Sequence, residues 1–237
     1  RLLLQKRDYQ SLEKFLIESY NEFGKDKLFN RSNHNEKLTL LTYLSNCLYK
    51  TKKYKQSLKY SEELLSGMKE YDCFLHDKYL FYYYNILVLN YAKTDKEKAL
   101  DYLNKASESE VIKKLPSYNS FIYLNRSLIY YYKDNYKESQ KNIARLIMQQ
   151  DFLLLDKSFQ LKILVTELMI RILVSNKNLN DKITNINKDY KSLLLEKHHI
   201  REKKMIDLIF KKISGGDVVD NKEDLLSSMS DSDAEDI

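Results

Sequence analysis

The sequence predicts an all-α fold assembled from repeated helical hairpins, and three observations carry that reading. The 237 residues hold a single proline, Pro116, and four glycines, against abundant Leu, Lys, Tyr and Asn. Few breakers and many straight-chain residues favour long helices joined by short turns. A phrase recurs, "YKQSLKYSEELL" from Tyr54 and "YKESQKNIARLI" from Tyr136. Upstream of each copy, residues keep the i, i+3, i+4, i+7 spacing of one helix face.

The elements follow in order. "RDYQSLEKFLIESY" places Leu12, Leu16 and Ser19 behind Tyr9, so residues 1–23 read as a partial unit represented by its second helix. In the unit 36–70, Leu41, Leu44, Ser45 and Leu48 stripe a first helix, "KTKK" turns, and Ser57, Ser61 and Leu64 stripe a second. In 73–109 the stripes are Tyr84, Leu87, Val88, Tyr91 and then Ala99, Leu103, Ala106, around "KTDK". In 117–150 they are Tyr123, Arg126, Ser127, Tyr130 and then Ser139, Ile143, Leu146, around "KDN", with Arg126 breaking the apolar rule. The small residues Ser57, Ala99 and Ser139 set a period of about 41 residues. The apolar helix after Asp151, the turn "SNKNLN" and a helix from Leu179 form a degenerate or closing unit, 158–195. A lone hairpin cannot bury its apolar face, so the units must stack.

Residues 196–213 read as an amphipathic helix capping the last unit, with Ile200, Met205, Ile206, Leu208, Ile209 and Phe210 on the apolar side and Gly215 and Gly216 ending it. Its lysines and arginine leave a membrane-surface or nucleic-acid helix as the competing reading. Residues 214–237 are acidic, serine-rich and poor in core residues, the composition of a disordered tail. Eight acids stand there against Lys222 alone, a charge of −7 that leaves +13 on residues 1–216. Ser228, Ser230 and Ser232 each have an acid three residues on, the pattern acidophilic kinases such as casein kinase 2 prefer, so phosphorylation is expected to deepen that charge.

The paired helices resemble the tetratricopeptide repeat family. The residues that carry the resemblance are the first-helix positions Ser45, Val88 and Ser127, the turn tyrosines Tyr54 and Tyr136, and the second-helix small positions Ser57, Ala99 and Ser139. The departures are the longer period, a middle turn one residue short without its tyrosine, the bulk of Val88 and the absence of the closing proline. The resemblance implies a right-handed α-solenoid over residues 1–213 whose first helices line a concave groove. It places Thr42, Asn46, Lys50, Tyr82, Asn85, Leu89, Lys93, Asn125, Leu128 and Tyr132 on that groove. Tyr83 and Tyr131 are further candidates. Tyr, Asn and Lys together offer flat contact area and donors to an extended peptide.

No chemistry-bearing motif competes with this. His34, His76, His198 and His199 form no H-E-x-x-H, and neither a glycine-rich phosphate loop nor G-x-S-x-G occurs. Cys47 and Cys73 lack companions at metal spacing, so buried helix thiols are expected, with no cofactor and no metal. Sparse cysteine fits a reducing compartment, and a cytoplasmic location is expected. No apolar run approaches the ~20 residues of a membrane span. The chain begins at Arg1, which suggests a piece of a longer protein. The expected function is a non-enzymatic scaffold holding a protein or peptide partner. The alternatives are a peptide-sensing domain of a larger regulatory protein and, third, nucleic-acid binding through the basic body.

Overall fold

The computed structural model describes residues 6, 8–25, 28–174 and 178–215. Among them every regular element is helical and no strand occurs. The chain divides into two compact units, Arg1–Tyr118 and Asn119–Ile237.

In the first unit, α1 (Tyr9–Lys25) packs on α2 (His34–Lys50), and α2 pairs with α3 (Tyr54–Met68). Helix α4 (His76–Thr94) packs on both α2 and α3 and pairs with α5 (Lys96–Glu108). The reason is the stripe. Leu41, Leu44, Ser45 and Leu48 are all fully buried, and Leu44, Cys47 and Leu48 receive Leu12 and Leu16 of α1. In the next pair Leu87, Val88, Ala99, Leu103 and Ala106 are buried, while Tyr91 stacks on Tyr102 at 5.3 Å, nearly parallel. Asp95 starts α5 by accepting from the Lys98 amide, one of the donors that a helix start leaves unpaired.

In the second unit a π-helical turn, Ser120–Leu124, runs into α6 (Asn125–Tyr132), which pairs with α7 (Tyr136–Ile147). Helix α8 (Lys157–Ile172) packs on α7, then on α9 (Leu179–Asp189) and α10 (Ile200–Gly215). The expected capping helix is α10. Its Met205, Ile206 and Ile209 are buried with Leu161, Val165 and Leu168 of α8 and Ile183 and Ile186 of α9. Ile200 and Phe210, assigned above to its apolar side, are about half exposed. Gly216 and the acidic segment after it lie outside the described residues.

The same crossing geometry recurs within one hairpin of each unit. The Ser57 hydroxyl donates to the Ser45 carbonyl at 2.7 Å. The Ser139 hydroxyl donates to the Ser127 carbonyl at 2.8 Å, and Ser127 returns the bond to the Ser139 carbonyl at 2.8 Å. A side-chain oxygen reaching the facing backbone means that the two helices touch there with nothing larger between them. The turns match as well. Lys52 (φ 61°) and Asp134 (φ 56°) are left-handed. The amides of Lys52 and Lys53 bond Tyr49 and Leu48 carbonyls, and those of Asp134 and Asn135 bond Tyr131 and Tyr130. Both are Schellman closures without the usual glycine. The α4–α5 turn is a single residue, extended Asp95 (φ −156°), where the other two turns have three residues and a left-handed one among them.

A side chain at left-handed φ costs about 1 kcal/mol that glycine avoids. Lys52 is exposed, so Lys52→Gly removes little else. It is expected to raise stability by about 0.5–1 kcal/mol, seen as a higher urea midpoint with an unchanged slope. A lower midpoint would show that the turn is not held in this conformation in solution.

Candidate functional site

The groove residues read from the sequence do not behave alike. Thr42 is only 7 % exposed, and its hydroxyl donates to the Leu38 carbonyl one turn back at 2.8 Å. A hydroxyl satisfied by its own helix offers nothing to a ligand. The amides of Asn46 and Asn125 each donate in the same way, to the carbonyls of Thr42 at 2.9 Å and Phe121 at 2.7 Å. Lys50 and Lys93 are exposed, Asn85 and Leu89 half-buried. Tyr82 is 44 % exposed, with its ring 6.1 Å from that of Tyr79. Tyr83 is half-buried, and burial pushes its phenol up to about 12. Ser228, Ser230 and Ser232 lie outside the described residues.

Leu128 and Tyr132 are brought together in a defined cavity. They and Tyr131 form the α6 wall of an open cleft of about 390 Å³ within the second unit. Helix α8 supplies Lys162, Val165, Thr166, Met169 and Ile170, and α10 supplies Arg201, Glu202 and Met205. Tyr131 is a wall residue anchored in the core, packed with Ile143, Leu146, Phe152, Ile163 and Ile170. The cleft lining is mainly apolar, with Leu128, Val165, Met169 and Met205 contributing to it. Its volume suits a few side chains of an incoming segment.

The cleft lining carries two cations, Lys162 and Arg201, and one carboxylate, Glu202. Lys162 is exposed and Arg201 partly so. Glu202 has its side chain only 12 % exposed and is turned toward Nδ1 of His199, 3.4 Å away. His199 is itself buried, and its Nε2 shares a 2.6 Å hydrogen bond with the Ser158 hydroxyl, tying the start of α10 to the start of α8. The position of Arg201 and Met205 is thereby fixed relative to Lys162. Sequence reading missed Val165, Met169, Arg201 and Met205 as site residues. No local sequence pattern marks them, because the place of α10 is set by the packing of Met205, Ile206 and Ile209 on α8 and α9.

Other reactive groups are built into the packing. The Cys47 thiol donates to the Tyr9 carbonyl at 3.0 Å, and burial pushes it up to about 11. Cys73, expected to be buried, is exposed because it ends a run of three left-handed residues, Tyr71–Asp72–Cys73, after α3. The thiolate is the species that alkylates, so iodoacetamide at pH 8 is expected to modify Cys73 and spare Cys47 until urea unfolds the chain. Peptide mass mapping reads the outcome, and rapid native labelling of Cys47 would contradict its burial under α1.

Among the described residues, no group of three or more His, Cys, Asp or Glu side chains could hold a metal ion, and no helix is long and apolar enough to cross a membrane. Comparison with protein-family models, with curated proteins and with solved structures finds no match.

Proposed function

We propose that this chain is a non-enzymatic interaction scaffold, a right-handed solenoid of tetratricopeptide-like hairpins that holds a segment of a protein partner. The α6/α8/α10 cleft is the place where that segment is gripped. The observation that carries the reading is the cleft's make-up: a lining rich in apolar side chains, Leu128, Val165, Met169 and Met205 among them, together with two cations, Lys162 and Arg201, against one carboxylate, Glu202. Such a surface takes up apolar side chains and rewards acidic residues flanking them. Support for the hairpin repeat comes from the shared serine crossing of Ser45 with Ser57 and of Ser127 with Ser139.

The test is selection of peptides from a random display library on the full chain, followed by affinity measurement on variants. Selected peptides are expected to combine Leu, Met or Phe with Asp or Glu. Lys162→Glu, an exposed change, is expected to weaken them about tenfold, the loss of one charge-assisted contact. Leu128→Gln is expected to weaken them by a similar factor through lost apolar contact. Circular dichroism confirms that both variants remain helical. Binding unaffected by either change would place the partner site elsewhere.

A further inference from the structure

We propose that residues 224–233 of this same chain, "DLLSSMSDSD", occupy the α6/α8/α10 cleft, so that the protein carries its own competitor for the partner segment. The inference rests on the reading of that cleft as a peptide site.

The chemistry of segment and cleft is complementary. Leu225, Leu226 and Met229 sit between Glu223 and Asp224 on one side and Asp231 and Asp233 on the other. An apolar centre with acidic flanks meets a lining that joins apolar Leu128, Met169 and Met205 with the cations Lys162 and Arg201. The lining also holds one carboxylate, Glu202, whose Oε2 lies 3.4 Å from Nδ1 of His199, so the two cations outnumber it. Charge over longer range has the same sense, −7 on residues 217–237 against +13 on the remainder.

Reach is sufficient. Helix α10 supplies Arg201 and Met205 to the cleft and ends at Gly215. At about 1.5 Å per residue, Gly215 lies roughly 15 Å along the helix from Met205. The ten residues from Gly215 to Leu225 extend at most about 35 Å. The segment can therefore double back along α10 with slack. A short tether holds a segment at roughly millimolar local concentration, so an interaction too weak to detect between separate molecules still fills the cleft for a large fraction of the time.

The methionines supply the experiment. The chain has five, Met68, Met148, Met169, Met205 and Met229, and two of them line the cleft. Full-length protein with ¹³C-methyl methionine is compared with the same chain carrying Leu225→Ser and Leu226→Ser. The Met169 and Met205 methyl resonances are expected to differ between the two forms, while Met68 and Met148 stay in place. Tenfold dilution should not alter the difference. A synthetic peptide of residues 222–233 added to the variant should return both signals toward their wild-type positions. A library-selected peptide should bind the variant three- to tenfold more tightly than the wild type. Identical Met169 and Met205 signals in the two forms overturn the proposal, and so does a difference that fades on dilution, which would assign the segment to a second copy. If the selected peptide moves those signals while the serine changes do not, the self-competition falls and the peptide site stands. If neither moves them, both fall.

Discussion

Ser139→Leu is expected to destabilise the protein by about 3–5 kcal/mol, clearly more than the same side chain introduced at Ala99. Both positions are fully buried at the crossing of a hairpin's two helices. Overpacking a close contact costs about 1–3 kcal/mol, and that is the whole expectation for Ala99→Leu. At Ser139 a second loss adds to it. The hydroxyl donates to the Ser127 carbonyl, and the Ser127 hydroxyl reaches back to the Ser139 carbonyl, both at 2.8 Å. Leucine deletes the first bond and pushes apart the backbones that make the second, each worth about 1 kcal/mol. Urea unfolding of the two variants gives the comparison directly. Equal losses would mean that the reciprocal serine pair contributes nothing and that only volume matters at the crossing. Losses below about 1 kcal/mol at both sites would mean that the helices do not meet there.

Ser57→Ala probes the same geometry in the first unit without adding volume. Ser57 donates to Ser45 and accepts from the buried Asn90 amide at 2.9 Å, and that amide also donates to the Ile86 carbonyl. The serine thus joins the α2–α3 pair to α4. Its role follows from its place in the repeat: a residue small enough for the crossing also has a hydroxyl within reach of the next helix.

The hairpins were legible because hard contacts leave a sequence trace. Only a small residue fits where two backbones touch, so Ser57, Ala99 and Ser139 recur at the repeat period and all three are fully buried. The left-handed turns left a weaker trace. Glycine normally marks such positions, whereas Lys52 and Asp134 hold them with ordinary side chains, so only their equivalent distance from the crossing serine reveals them. Groove positions were the least legible. Helical spacing puts Thr42 on an outward face, yet its hydroxyl turns back on Leu38 and the residue is buried against neighbouring helices. The cleft itself depends on where α10 docks. That is decided by Met205, Ile206 and Ile209 packing on α8 and α9, an outcome of long-range packing with no local pattern of its own.

Glu167 holds the back of the same scaffold, and its loss is expected to have the other large effect. The residue is 2 % exposed on α8, and its carboxylate accepts from Arg171 Nε at 2.8 Å and from Lys182 Nζ of α9 at 2.8 Å on each oxygen. Glu167→Ala removes these charge-assisted bonds and leaves a gap between α8 and α9. The two cations are 23 % and 32 % exposed, so they turn to water instead of remaining buried and unpaired. That release holds the expected loss to about 2–3 kcal/mol, below the 3–5 kcal/mol typical when a buried charge is stranded. Because burying three charges is itself unfavourable, replacing Glu167, Arg171 and Lys182 together with methionine should recover most of the loss. A non-additive return of this kind identifies the network as the cause, while strictly additive losses would assign the effect to the gap alone. The consequence reaches the cleft, since α8 presents Lys162, Val165 and Met169 on its other side. Glu167→Ala should therefore weaken peptide binding without touching the peptide, and the triple methionine variant should restore it.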